Sequence, residues 1–439
     1  MNKRRRRTQD SFILLINFIL IFVLAIIFYY GWHLYYRNIV YFYQKGNWLL
    51  LAVFSVSFIC FNQLYGGFKL GLSRMADLIF SQILSLIFAN LIIYIIACFV
   101  DKSFISIIGF CYLLLVEIIV IVLFNILCNQ IIYHLFPAKK TIIIYEDQSL
   151  NLQRKLSVYH KNVFDIQAVC SINEIDINKV FDEYECILIA QLSIEKRKYM
   201  LQKAYEQNIS LFEIPSIYDV LMNSASITHI IDTPIFMVNN FGPNQISKIL
   251  KRTFDIVFSL SMLIIASPIM LLVAFAIKLG DGGPAIYKQT RLTLHGKTFE
   301  VLKFRSMRID AEKDGKAQLA KEKDTRITPV GNIIRMMRID ELPQLINILL
   351  GDMSVVGPRP ERPEIVKENI DELPEFNYRL KVKAGLTGYA QIYGKYNTTL
   401  KDKLLLDLMY IENYSFFLDI KLVLMTVKII FIKDSTEGV

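Results

Sequence analysis

The chain opens with four stretches in which polar residues are nearly absent: about Ser11–Tyr30, Trp48–Phe61 with its flanks, Ala76–Val100 and Phe104–Phe136. A bilayer core about 30 Å thick needs roughly 20 helical residues. The first, third and fourth stretches are long enough to cross it, and the second is close to the limit. From Thr141 to about Val238 the pattern changes. TIIIY (141–145), CILIA (186–190) and ISLFEI (209–214) read as strands, and IEKRKYMLQKAYEQ (194–207) reads as a helix. That alternation predicts a small α/β domain with a parallel sheet. NNFGPN (239–244) has the composition of a linker. Beyond it lies another long apolar block, Phe254–Leu279. Two strand-like runs, PAIYKQTRL (284–292) and KTFEVLKFRSM (297–307), then flank HGK (295–297) and predict a hairpin. DTRITPVGNIIRMMR (324–338) predicts a Pro-initiated helix, and LKDKLLLDLMYI (400–411) and FFLDIKLVLMTVKIIF (416–431) predict two more. Lys403, Lys421, Lys428 and Lys433 punctuate the last region evenly, which suits a helix lying in a membrane interface rather than crossing it.

Charge gives these apolar stretches a direction. The 439 residues are 54% hydrophobic with mean hydropathy +0.40, high for a soluble protein, and carry net charge +9 from 49 basic and 40 acidic residues. The basic residues sit beside apolar segments, not interleaved with aromatics in a compact patch. They fit anionic lipid and phosphorylated substrates, and no nucleic acid. Four of six cysteines (Cys60, Cys98, Cys111, Cys128) lie in apolar runs, no C-x-x-C occurs, and the five histidines show no ligand spacing. Neither a disulfide framework nor a zinc site is supported. KRRRR (3–7) precedes the first span, but no small-residue cleavage site follows Phe28-Tyr29-Tyr30, so the span is read as uncleaved. With four spans, that cluster, the Lys69/Arg74 loop and Lys139-Lys140 share the cytoplasmic side; Arg37 and Lys45 are a weak exception. An even count leaves everything after Pro137 in the cytoplasm. Phe254–Leu279 breaks the pattern, with Ser267-Pro268 at its middle and basic flanks: Lys248, Lys251 and Arg252 before, Lys278, Lys288 and Arg291 after. Each half is about 12 residues, roughly 18 Å, too short to span alone. One reading is a re-entrant helix that turns at Ser267-Pro268 and returns to the same face. The other is a kinked ordinary span, which would put the C-terminal third outside.

The chemistry-bearing residues concentrate after the linker. Between Phe110 and Phe241 there is no glycine, so no phosphate-cradling loop can follow the first strand of the α/β segment. That segment is expected to be structural or regulatory. The hairpin carries Gln289, Arg291, Lys303 and Arg305; singly each is a solvated strand residue, but four donors together make a clamp for a polyanion. Within 324–338, Ile333, Ile334, Met336 and Met337 are apolar while Arg335 and Arg338 are basic, which fits either a membrane surface or core packing. RIDELPQLINILLGDMSVVGPRP (338–360) follows. Asp340-Glu341 with Pro343 makes a good helix start on local grounds alone. That start would also offer free N–H groups to a phosphate oxygen, with Arg335 nearby and Arg359 held between Pro358 and Pro360. Acids amid arginines are expected to have depressed pKa values. As ionised carboxylates they could attack phosphorus or bind a divalent cation, and a diphosphate substrate would bring Mg²⁺.

KRTFDIVFSL, the Ser267-Pro268 pair, KFRSM, DTRIT, DELPQLINILLGDMSVVGPRP, AGLTGYAQ and LDLMYIENYS occur in the order found in bacterial sugar transferases. The chain resembles the long form of the monotopic polyprenyl-phosphate phosphoglycosyl transferases that start capsule, exopolysaccharide and O-antigen assembly. The resemblance implies an α+β membrane protein of the bacterial inner membrane. It would have a four-span transmembrane module (1–140), a degenerate Rossmann-like α/β domain (141–240) and a cytoplasmic catalytic domain (244–439), with a re-entrant helix at 254–279 and interfacial amphipathic helices. It further implies that Asp340 is the nucleophile that takes the sugar phosphate from a UDP-sugar and passes it to polyprenyl (undecaprenyl) phosphate, with UMP leaving. Glu341 would hold Mg²⁺, and Arg335 and Pro358-Arg359-Pro360 would handle phosphate or nucleotide. Ala384-Gly385 stands where many members have Pro-Gly, and Tyr389 where Trp is frequent, which leaves the sugar open. Two rival expectations remain: a non-catalytic membrane scaffold in which the acids are caps, and a membrane-tethered dehydratase or epimerase, which the missing glycine loop disfavours. The four-span module could also support a homo-oligomer.

Overall fold

A computed structural model describes residues 2–36, 46–71, 73–146, 163–238, 244–309, 326–394 and 398–430. The side chains of 3–7, Arg37, Lys45, the 239–243 part of the linker, Asp324 and Lys433 lie outside the described residues. The chain divides into two compact units, Met1–Ile214 and Pro215–Val439. The boundary therefore falls about 25 residues before the expected linker, because 215–238 packs with the C-terminal unit.

The first unit begins with α1 (Asn2–Tyr35), α2 (Gly46–Tyr65), α3 (Met75–Asp101) and α4 (Ile108–Leu135). All four are long and apolar enough to cross a membrane, including the marginal second stretch. Leu20, Phe28, Phe54, Leu86 and Ile93 form their shared core. Leu14, Phe22, Ile95, Phe99 and Leu123 remain exposed, the all-round apolarity of helices that face lipid. The polar residues inside pair between α3 and α4: Asn90 Nδ2 donates to Glu117 Oε2 at 2.8 Å, and Asn125 Nδ2 to Gln82 Oε1 at 2.6 Å. Such bonds hold helices together where burial of apolar surface cannot.

The α/β part of this unit contains β1 (Lys139–Tyr145), β2 (Phe164–Ser171), α5 (Ile177–Glu183), β3 (Cys186–Ala190), α6 (Ile194–Gln207) and β4 (Ser210–Glu213). The four strands form a parallel sheet in the order β2-β1-β3-β4. The centre of β1 and all of β3 are buried, as their continuous apolar runs require. Lys203 and Tyr199 on α6 make a cation–π contact at 6.0 Å on a half-exposed helix face.

The second unit starts with α7 (Ile217–Met222), closed by a capping box between Ser216 and Asp219, and an antiparallel hairpin of β5 (Ser226–Ile230) and β6 (Thr233–Met237). The next element is α8 (Gln245–Asp281), one helix 37 residues long that runs through Pro268. Helical backbone is thus not interrupted at Ser267-Pro268, contrary to the expected break. Proline leaves the carbonyl four residues earlier, that of Ile264, without its N–H partner. The Ser267 hydroxyl donates to that carbonyl at 2.8 Å. The flanking charges also do more than face a membrane. Lys251 Nζ donates to Asp419 Oδ2 at 2.7 Å, the Val356 carbonyl at 2.9 Å and Tyr410 Oη at 3.0 Å. Arg252 caps two carbonyls, of Ile348 and Leu349, each at 2.7 Å. These two cations anchor the first turns of α8 to its own unit.

Beyond α8 come the antiparallel hairpin β7 (Ile286–Leu292) and β8 (Thr298–Phe304), α9 (Pro329–Met336), a 3₁₀ turn (Ile339–Glu341) and α10 (Gln344–Leu350). They are followed by β9 (Ser354–Val356), α11 (Pro363–Glu372), β10 (Gly385–Thr387) paired parallel to β9, α12 (Tyr389–Tyr393), α13 (Leu400–Glu412) and α14 (Phe416–Ile430). Val301, Leu345, Ile348, Val355, Phe376, Leu404 and Leu422 form the core. Leu422 and Asp419 of α14 are fully buried, so that helix is packed into the unit along one side. Ile333, Met336 and Met337 around the end of α9 are left exposed, as are Leu271, Leu272, Phe275 and Leu279 of α8.

Candidate functional site

Arg338, two residues beyond the end of α9, takes the left-handed conformation (φ 54°), and the backbone turns there into the 3₁₀ turn that presents Asp340 and Glu341. The acids therefore precede α10 by a tight turn instead of capping it directly. Two cations converge on one oxygen of Glu341. Lys303 Nζ, from the end of β8, donates to Oε1 at 3.1 Å, and Arg359 Nη2, from the loop after β9, donates to the same atom at 2.9 Å. Asp340 accepts no hydrogen bond among the described residues.

The Arg359 loop is held by backbone bonds that only glycine permits. Gly357 N donates to the Thr387 carbonyl at 2.8 Å and Gly385 N to the Pro358 carbonyl at 2.9 Å. A Cβ on Gly385 would lie 2.0 Å from the Gly357 nitrogen, so neither strand can carry a side chain there without backbone movement. Behind the loop, Arg379 donates from Nη2 to the Arg359 carbonyl at 3.0 Å and from Nε to Asp407 Oδ2 at 3.0 Å. Arg379 and Asp407 are both buried. Glu361 adds contacts to Lys403 and Arg379.

The hairpin register places Tyr287 opposite Lys303 and Gln289 opposite Val301. Gln289 does not reach the acids. Its Oε1 accepts from Arg291 Nε at 3.1 Å and Nη2 at 2.5 Å, while Arg291 Nη1 donates to the Pro360 carbonyl at 3.2 Å. Arg291 thus braces the Pro358–Pro360 loop and lines the cleft together with Lys303, Glu341, Arg359 and two glutamines, Gln344 and Gln391. Arg305 departs from the expected clamp. It is buried elsewhere, beside Gly283 and the last turns of α8, because the strand ends at Phe304. Ser267 and Pro268 lie on α8 and do not line the cleft. Gln344 and Gln391 escaped sequence reasoning, although a buried Gln opening the apolar run QLINILL was a usable signal. Arg379 and Asp407 offered none, being 28 residues apart.

The adjacent acids titrate in opposite directions. Burial, then the charge of Glu341, pushes Asp340 up to about 6, against the pull of Lys303, Arg335 and Arg359. Burial also raises Glu341, but Arg359, Lys303 and Arg338 together outweigh it and hold that carboxyl well below the usual carboxylate range. The expectation that both acids are depressed therefore fails for Asp340. Lys303 is itself lowered by burial despite Glu341, and Arg359 is raised by Glu341. Around pH 7 the site holds a firmly ionised Glu341 beside an Asp340 that is largely ionised but weakly so. Among the described residues no three His, Cys, Asp or Glu side chains gather as metal ligands. Two neighbouring hard carboxylates suit a divalent cation only where phosphate oxygens or water complete its shell.

Residues 246–433 match the family model described as bacterial sugar transferase. The chain is 37% identical over 226 residues to the UDP-N-acetylgalactosamine-undecaprenyl-phosphate N-acetylgalactosaminephosphotransferase of Aeromonas hydrophila, covering 51% of this chain and 52% of that one. It is 43% identical over 199 residues to an exopolysaccharide production protein, PSS, of Rhizobium leguminosarum bv. phaseoli, covering 43% of this chain and 97% of the relative. It is 40% identical over 190 residues to the UDP-glucose:undecaprenyl-phosphate glucose-1-phosphate transferase of Caulobacter vibrioides, covering 42% and 71%. The chain spans about half the length of the first of these relatives.

Proposed function

The chain belongs to the bacterial sugar transferase family, and from that premise we propose that it moves a sugar 1-phosphate from a UDP-sugar to undecaprenyl phosphate. The reaction would take place at the cytoplasmic face of the inner membrane and release UMP. It would be the first membrane step of capsule, exopolysaccharide or O-antigen synthesis. The observation that carries this reading is the split between the two acids: Glu341 is locked by Lys303 and Arg359, while Asp340 accepts no hydrogen bond among the described residues and has its pKa raised to about 6. A carboxylate of higher pKa is the better nucleophile, and at about pH 7 roughly nine-tenths of it is ionised.

In the first step an Asp340 oxygen attacks the sugar-bearing phosphorus. The P–O bond to the uridine-side phosphate breaks, UMP departs with that electron pair, and an aspartyl-phosphosugar remains. In the second step an oxygen of the acceptor phosphate attacks the same phosphorus, the acyl-phosphate P–O bond breaks, and the Asp340 carboxylate is restored. Lys303, Arg359 and Arg335 supply positive charge where the phosphates sit. The cleft has room for about one water, about 10 Å³, so the site must widen as the diphosphate binds. Glu341 would hold a Mg²⁺ brought in by the diphosphate, and that ion's chemistry is neutralisation of phosphate charge. The exposed apolar side chains of α8 and α9 support a catalytic unit seated in the bilayer surface, with α8 re-entrant and bent at Pro268.

Asp340→Asn decides between enzyme and scaffold. It should abolish UMP release and covalent labelling by a sugar-labelled UDP-sugar panel in membranes that contain polyprenyl phosphate. Near wild-type release by the Asn variant would refute the nucleophile, and no release by the wild type with any sugar nucleotide would favour a scaffold.

A further inference from the structure

The four N-terminal helices enclose an acidic side chain deep in the apolar layer. Glu117 is fully buried on α4, about 14 Å along the helix from Ile108. Asp10, Asp77 and Asp101, by contrast, stand at the ends of their spans. Glu117 Oε2 accepts from Asn90 Nδ2 of α3 at 2.8 Å, and the same amide nitrogen also donates to the Leu86 carbonyl at 3.2 Å. Both amide hydrogens are therefore used. Glu117 Oε1 and Asn90 Oδ1 are buried with no donor among the described residues. The same-face helix neighbours of Glu117, Leu113 and Ile121, are buried and aliphatic, as is Leu86 beside Asn90, so they supply neither donor nor charge.

A second polar layer lies about 12 Å nearer the α2–α3 turn. There Asn125 Nδ2 donates to Gln82 Oε1 at 2.6 Å, Gln82 Nε2 donates to the Gly67 carbonyl at 2.8 Å, and Asn125 Oδ1 again has no donor. Along α3 and α4 the imbalance runs one way: acceptor oxygens are left over. A hydrogen bond that joins two helices in a bilayer needs only a neutral amide on each. A carboxyl adds a negative charge, costly in apolar surroundings unless a positive charge meets it. Among the described residues no Lys, Arg or His pairs with Glu117. The missing positive charge has to come from outside the chain.

We propose that Glu117, beside Asn90, is an intramembrane site for one small cation, carried on the free oxygens of the pair. The chemistry required is a single positive charge small enough to enter between packed helices, which a proton and a sodium ion share. The site belongs to the four-span unit and does not depend on the transfer reaction.

The test treats the full chain in phospholipid nanodiscs, in sodium-free choline buffer, with dicyclohexylcarbodiimide, and maps adducts by mass spectrometry. This reagent partitions into apolar regions and reacts with carboxyls that can take up a proton there. Glu117 should be modified, and the water-soluble carbodiimide EDC should leave it untouched. Sodium chloride, compared with an equal concentration of choline chloride, then assigns the cation. A rate slowed at least fivefold means that sodium occupies the site, and an unchanged rate means that the proton does. Absence of an adduct on Glu117 overturns the proposal, because a carboxylate already neutralised by a basic side chain would stay unreactive. Equal modification by EDC also overturns it, because Glu117 would then lie at a wet surface.

Discussion

Lowering the pH should slow the first half-reaction through Asp340, in a range where an ordinary aspartate would be silent. With a pKa of about 6, Asp340 is about 91% ionised at pH 7, half at pH 6 and about 9% at pH 5, so the rate should fall roughly tenfold between pH 7 and 5. An aspartate at the ordinary value of 3.8 would lose only about 6% over the same range. The assay is rapid-quench UMP release without acceptor, because the diphosphate of the donor has no group titrating near 6 whereas the acceptor's phosphate monoester does. Two substitutions fix the sign. The charge of Glu341 raises Asp340, so in Glu341→Gln the acid limb should move to lower pH, by roughly one unit or less. The charge of Lys303 lowers Asp340, so in Lys303→Met the limb should move up. Rates that stay flat to pH 5, or limbs that move in the same direction in both variants, would refute the assignment of Asp340 as the titrating nucleophile.

The raised pKa also has a stability consequence. A carboxyl with a folded-state pKa above its unfolded value contributes stability that is fully present below the unfolded pKa and lost as pH rises through the folded one. At pH 7 the ionised Asp340 therefore costs up to about 3 kcal/mol, and Asp340→Asn should melt at a higher temperature than wild type, with the advantage disappearing between about pH 6 and 4. Asp407→Asn removes the buried partner of Arg379, which also holds the Arg359 carbonyl. Thermal or denaturant melts should show a loss of roughly 3–5 kcal/mol, with KM for the sugar nucleotide rising more than kcat falls as Arg359 loosens. A single cysteine at His295, exposed in the hairpin connection, in a background without the six native cysteines, tests the course of α8. If the helix returns to its starting face, an impermeant maleimide should label that cysteine only after the cells are opened; labelling of intact cells would mean that α8 crosses.

Several elements could be read directly because their determinants are local. The helix over 194–207 and the strand over 186–190 have their expected bounds, since 3.6-residue periodicity and an all-apolar run are properties of the segment itself. The strand FDIQAVCS was missed because its residues are mostly half-buried and its partner β1 lies about 25 residues earlier. Ser267-Pro268 shows local reading stopping one step short. Proline dictates the loss of one helical hydrogen bond, but whether the helix ends there depends on what the orphaned Ile264 carbonyl finds, and it finds the Ser267 hydroxyl.

By itself the sequence determined where the apolar helices run, that an Asp-Glu pair stands among cations, and, through its ordered motifs, the family. It could not separate the two acids, because adjacent residues of similar chemistry look alike along the chain. Tertiary structure decided that. Lys303 and Arg359, 38 and 18 residues from Glu341 in sequence, converge on one of its oxygens. Asp340 is left to burial and to its neighbour's charge. Tertiary structure likewise moved Arg305 out of the expected clamp, because where a strand ends and what packs over its last side chain are set by contacts the sequence does not display.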